Sequence, residues 1–179
     1  MADLIRFAER GVLILLSGGV VARILPQLAD HPQMALFLIS ELVGVVLILM
    51  QRQGTSATAF YPVVIAFLGT GIGLLVIPTG QQLVSDAVSA AMIFLGAAIA
   101  LAAKLSLRRS FGIVPANRGV KRGGVYRFIR HPMYAGYVIN HVGFLLTFFS
   151  AWNVAIYMFA WLALWLRIIE EEKFLRLDP

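Results

Sequence analysis

Six apolar runs follow one another along this chain, at residues 11–28, 34–50, 61–77, 83–103, 132–149 and 154–169. Nothing else constrains the fold so strongly, because about 20 apolar residues is the length a helix needs to cross the hydrocarbon core of a bilayer. Within that core the backbone polar groups must be bonded internally, which a helix does within a single segment. Composition points the same way. Of 179 residues, 60% are hydrophobic and 13% charged, with a mean hydropathy of +0.85, more apolar surface than a soluble domain of this size needs. The expectation is an all-α polytopic membrane protein of about six transmembrane helices, with one short polar segment and no large extramembrane domain.

The charges between the runs orient it. Arg6, Arg10, Arg52, the segment 104–130 with eight basic and no acidic residues, Lys173 and Arg176 all fall on one side of a six-span layout. The opposite turns carry Asp30, His31 and Asp86 and neither Lys nor Arg. Excess Lys and Arg mark cytoplasmic loops, so both termini and the basic segment are expected in the cytoplasm. Merging the last two runs would instead separate the basic segment from Glu170-Glu171-Glu172. The formal charge of +6 then belongs to topology and anionic lipid rather than nucleic acid. The first run lacks a small-residue cleavage site and reads as a retained helix, not a signal peptide. The break before the second run is Asp30-His31-Pro32, and that run ends at Gln51-Arg52-Gln53-Gly54.

Several interior features have plain readings. Arg23 and Glu41 fall at similar depth in the first two spans, and an interhelical ion pair would hide both from lipid; a substrate or proton site is the alternative. Gly69-Thr70-Gly71-Ile72-Gly73 superficially resembles a nucleotide loop but lacks a preceding strand. Gly69 and Gly73, with Ala87, Ala91, Gly96 and Ala100 of the fourth run, suit close helix approach instead. There is no cysteine, which excludes disulfides, thiol nucleophiles and cysteine-bound metal. No metal-binding spacing and no Ser-His-Asp arrangement occurs.

Chemistry concentrates in Gly123-Gly124-Val125-Tyr126-Arg127-Phe128-Ile129-Arg130-His131-Pro132-Met133-Tyr134-Ala135-Gly136. Pro132 suits the first position of a helix, where its missing N–H costs nothing. His131 is then the N-cap residue, and a helix start flanked by Arg127 and Arg130 favours an anion. Tyr134, Tyr137, Val138 and His141 continue at helical spacing. Gly136 leaves room for a ligand or another backbone. At the far end of the sixth run, Arg167, Glu171 and Leu175 share a face, with Glu172 beside them and Arg167 able to pair with Glu171. A short turn between the fifth and sixth runs makes their helices antiparallel, so the His131 and Glu171 ends meet at one membrane level. A cationic and an anionic group side by side suit a zwitterion. The commoner roles also apply: Lys121 and Arg122 as topology determinants, the glutamates as a solvated helix end, His141 as a packed histidine bonded to a neighbour, and His31 as a loop residue.

Gly124-Val125-Tyr126, then Arg130-His131-Pro132-Met133-Tyr134-Ala135-Gly136, then Glu171-Glu172-Lys173-Phe174-Leu175 resembles the isoprenylcysteine carboxyl methyltransferase family, with its G-x-Y-x-x-x-R-H-P-x-Y-x-G and E-E-x-x-L pattern. Arg109-Ser110-Phe111 through Arg118 looks like bacterial members, which implies the bacterial inner membrane with the site facing the cytoplasm. The resemblance covers about 104–175, so residues 1–103 are expected as a four-span scaffold and 104–179 as the cofactor half. It implies S-adenosylmethionine as cofactor, held by Tyr126, His131, Tyr134, Gly136 and adjoining backbone, with Glu171 or Glu172 contributing. Methyl transfer from a sulfonium is mainly alignment and water exclusion. A carboxylate nucleophile would need only a cation to steer it, with Arg130 and Arg167 the candidates beside Arg127. The acceptor implied is lipophilic and enters sideways from the bilayer. Family members usually continue past E-E-x-x-L with an aromatic and basic tail, whereas this chain stops at Asp178-Pro179.

Three competing readings stand beside it. Sterol reductases also carry an R-H-P-x-Y-type segment and bind NADPH, though with more spans. A phospholipid or small-lipophile methyltransferase would keep the cofactor and change the acceptor. A membrane accessory protein would bind neither.

Overall fold

The computed structural model describes residues 2–29, 32, 34–52, 55–56, 60–118 and 121–176. The breaks expected at Asp30-His31 and at Gln53-Gly54, and the end at Asp178-Pro179, lie outside the described residues. Among the described residues six α-helices appear in chain order: α1 (Ala2–Ile24), α2 (Met34–Leu49), α3 (Phe60–Gly71), α4 (Asp86–Leu107), α5 (Pro132–Thr147) and α6 (Ala151–Leu175). Among the described residues the fold is all-α apart from one two-residue antiparallel ladder, in which β1 (Thr55–Ser56) pairs with β2 (Ala116–Asn117), and an isolated bridge between Gln81 and Phe149. Asp86–Ser110 and Ala151–Lys173 are long and apolar enough to cross a membrane, and Met34–Leu49 and Phe60–Gly71 are shorter apolar helices. Their outer faces expose Phe94, Leu95, Phe159, Leu162 and Trp165, the side chains that a bilayer would cover.

Small residues set the tightest packing. A Cβ placed on Gly96 of α4 would stand 2.6 Å from the Gly136 carbonyl oxygen of α5, and one on Gly136 would stand 2.7 Å from that of Gly96. The two backbones therefore touch, as close helix association without a hydrophobic driving force requires. Gly69 of α3 also faces Ala163 of α6, but less tightly: a Cβ there would make ordinary contact at 3.8 Å.

Three sequence expectations are revised. The first helix, α1, begins at Ala2, well before the apolar run expected at 11–28, and takes in the preceding residues. The third run leaves α geometry after Gly71 and continues as a 3-10 turn over Ile72–Leu75. Glycines weaken helix propensity there, and Asn153 takes the Ile77 amide on its Oδ1 while donating from Nδ2 to the Ile77 and Phe148 carbonyls. The sixth helix starts at Ala151 because the Ser150 hydroxyl accepts the Asn153 N–H at 3.2 Å, an N-cap bond.

The interior charges are arranged differently from the expected Arg23–Glu41 pair. Glu41 accepts a bond from Lys104 at 2.7 Å, and Arg23 donates to the Val76 carbonyl. Lys104, expected to open the polar segment, belongs to α4 and is 1% exposed. Its ammonium also donates to the Ser40 carbonyl at 2.8 Å and lies 5.6 Å from the Tyr137 ring centroid. That cage is what keeps a charged lysine inside the bundle.

Candidate active site

The last turn of α4 leads into a segment stitched to the end of α2. The Arg52 amide donates to the Arg109 carbonyl at 2.7 Å, and the Arg109 guanidinium donates to the Met50 carbonyl at 3.0 Å. Ser110 and Arg52 donate side-chain bonds to the Arg118 carbonyl, and the β1–β2 ladder closes the loop. Residues 110–118 thus form a fixed floor. Gly112 lets the Arg118 guanidinium lie against the backbone, since a Cβ would stand 2.5 Å from it and displace that side chain.

The opposite wall begins with the 3-10 turn Gly124–Arg127. Gly124 adopts φ 62°, and a side chain on it would collide with Ser106 Oγ. The turn delivers Tyr126, whose hydroxyl pKa is pushed up by burial and then by Glu171. His131 caps α5 through its backbone, the Ala135 N–H reaching its carbonyl at 3.1 Å, with Pro132 at the first helical position. Its ring is free for another role.

That role is contact with α6. His131 Nε2 lies 2.9 Å from Glu172 Oε1, and Tyr134 Oη donates to Glu171 Oε1. Arg167, 4% exposed, donates from Nε to Glu171 Oε1 at 3.3 Å. Its other nitrogens reach Thr70 Oγ1 and the Gly112 carbonyl, each at 3.3 Å. The guanidinium also lies over the Tyr134 ring, 5.5 Å from its centroid. Arg167 thereby ties α3, the loop floor and α6 together behind the site.

These groups border a cavity of about 460 Å³, within the usual range for small-molecule sites. Tyr126, Arg130, His131, Tyr134, Glu171 and Glu172, all singled out from sequence, lie on its wall. Gly136 does not: of its two foreseen uses, it makes the close approach to α4. Arg167 lies behind Glu171, on the wall of a second cavity of about 180 Å³ between the helices. Arg127 is exposed and stacks on Phe128 at 5.6 Å. Arg118, Lys121, Arg122 and Arg176 add cations to the larger cavity. Sequence reasoning gave Lys121 and Arg122 to topology and took Arg109 through Arg118 only as a likeness to bacterial members, not as the floor of the site, because the stretch has no periodicity to read.

The arrangement fits a ligand carrying both an anionic and a cationic group. All the described bonds of Glu171 and Glu172 from these partners run through Oε1, leaving each Oε2 without a described hydrogen bond. An ammonium could take them, while Arg130, Lys121 and Arg122 face a carboxylate. Met133, Val114, Pro115 and Leu175 supply apolar wall. Among the described residues no group of His, Asp and Glu could hold a metal ion.

The model of the isoprenylcysteine carboxyl methyltransferase (ICMT) family matches residues 87–177, just over half of the chain. Comparison with curated proteins and with solved structures found no match.

Proposed function

The chain belongs to the isoprenylcysteine carboxyl methyltransferase family and is an integral membrane methyltransferase, and on that premise we propose that it uses S-adenosylmethionine to methylate a lipophilic acceptor on its carboxylate. The observation that carries this reading is the meeting of His131 and Tyr134 with Glu172 and Glu171 on the wall of the 460 Å³ cavity. In it, Glu171 and Glu172 hold the methionyl ammonium through their open Oε2 atoms. Arg130, Lys121 and Arg122 face the methionyl carboxylate, and Tyr126, Met133 and Leu175 offer the surface for the rest. When bound, the cofactor supplies a sulfonium methyl whose C–S bond breaks as the acceptor's C–O bond forms, sulfur keeping the electron pair.

The protein's own part is orientation. Arg167 fixes Glu171 by the bond at 3.3 Å, and Tyr134 fixes the same oxygen from α5. A carboxylate nucleophile needs no base, so Arg130 at the mouth and Arg167 at the inner wall steer it by charge. Met133 borders both cavities, so the acceptor's reactive end and the cofactor meet there, with the acceptor's apolar part reaching in from the bilayer. Six spans, a scaffold of 1–103 and a cofactor half of 104–179, cytoplasmic termini, and a bacterial inner-membrane location complete the proposal; the charge asymmetry supports it.

No observation favours the NADPH reductase. A phospholipid acceptor is separated by chemistry. Purified protein is incubated with S-[methyl-³H]adenosylmethionine and a prenylcysteine analogue, and the lipid fraction is treated with base. Volatile methanol is expected, because a carboxyl methyl ester is base-labile. Label that stays with the lipid would overturn carboxyl transfer.

A further inference from the structure

The smaller cavity holds a polar group that the proposed reaction does not use. His141 sits two turns above Met133 on α5, and both line this space with Tyr137 and Phe144. Trp161 Nε1 donates to His141 Nδ1 at 3.2 Å. Indole nitrogen is only a donor, so Nδ1 is the acceptor and the ring proton sits on Nε2. The ring is held flat against Tyr157, centroids 4.3 Å apart at 20°. Nε2 therefore has a fixed direction. Gly73 lies opposite: a Cβ there would stand 3.7 Å from Nε2, in ordinary contact with it, and the His141 ring lines the cavity. Nε2 has no hydrogen-bond partner among the described residues. Next to it, Asn140 Nδ2 is buried without a partner, so this level of the bundle holds more polar capacity than its own contacts satisfy.

The space is not apolar throughout, since Arg23, Glu41, Lys104 and Arg167 also line it, but a donor left unpaired on its wall forgoes the free energy of a hydrogen bond. We propose that His141 Nε2–H donates a hydrogen bond to an oxygen carried within the apolar part of the methyl acceptor. Eight residues of helix separate His141 from Met133, about 12 Å along the axis at 1.5 Å per residue. The preferred substrate is thus a lipophile with a carbonyl or hydroxyl oxygen about 12 Å from its methylated group, a plain prenyl chain being accepted with lower affinity. Calling the ligand the methyl acceptor rests on the proposed function; the hydrogen bond itself does not.

The test compares geranylacetone with the same skeleton bearing a methylene in place of the carbonyl, using the full chain in detergent. The ketone is expected to bind about 10-fold more tightly, as one buried hydrogen bond of about 1.4 kcal/mol gives. His141→Phe keeps the ring on Tyr157 and removes the N–H, so the two affinities should become equal. Folding is checked by circular dichroism melting. If His141→Phe fails to fold, Trp161→Phe replaces it. That change frees the tautomer and should reduce the ketone preference at least threefold. Equal affinity in the parent, as expected if the cavity holds only water, overturns the proposal. So does a preference undiminished in the variant, or no saturable binding of either probe. A ketone preference without S-adenosylhomocysteine binding would sink the cofactor reading and leave this one standing.

Discussion

At the scale of single residues, the site depends on charge-assisted bonds across two helix ends. Removing one partner of such a bond typically costs about 1.5 kcal/mol or more, which is roughly tenfold in affinity. His131→Ala and Glu171→Gln should each weaken S-adenosylhomocysteine binding by about 10-fold or more, measured by calorimetry. Tyr134→Phe should do less, because Arg167 still holds Glu171. Unchanged affinity in both of the first two variants would contradict the assigned roles. These residues were legible in the sequence because the signals are local: Pro132 marks a helix start, and Arg167, Glu171 and Leu175 fall on one helical face. The partners of Arg167 were not legible. Thr70 lies 97 positions away and Gly112 contributes only its carbonyl, and neither leaves a trace in residue type.

At the scale of elements, two devices hold the site in place. The first is backbone contact between α4 and α5 at Gly96 and Gly136. Gly136→Val would force the helices apart at a point only two residues from Tyr134 in sequence. Overpacking of this kind costs about 3 kcal/mol, so the thermal midpoint should fall by several degrees and cofactor binding with it. The second is the Lys104–Glu41 pair. Lys104→Met leaves Glu41 uncompensated and should cost about 3 kcal/mol or more. The double variant Lys104→Met with Glu41→Gln should recover most of that loss, read as the difference between their melting midpoints. The helices were foreseeable because apolar length and Pro, Gly and Ser punctuation determine them. Glu41's partner was not. Two interior charges of opposite sign, Arg23 and Glu41, looked self-sufficient, and a lysine at the rim of a basic segment read as cytoplasmic. Extension of α4 to Leu107 is what turns that lysine inward.

At the scale of the whole molecule, the proposed orientation opens the larger cavity to the cytoplasm and puts the turn around Gln82 on the other side. The absence of cysteine allows a clean check with single substitutions. An impermeant thiol reagent should modify Gln82→Cys in intact cells and Arg122→Cys only after the membrane is opened. The reverse pattern would invert the topology. The basic loop charges are the ground for expecting this orientation, whereas the division of space into two cavities that both border Met133 emerges only from packing. The central claim is that the glutamates of α6 and the histidine start of α5 form one cofactor pocket. Its most direct test is a titration of the detergent-purified chain with S-adenosylhomocysteine and, separately, with NADPH. Saturable binding of the first and none of the second is the expected result; binding of NADPH alone would contradict it.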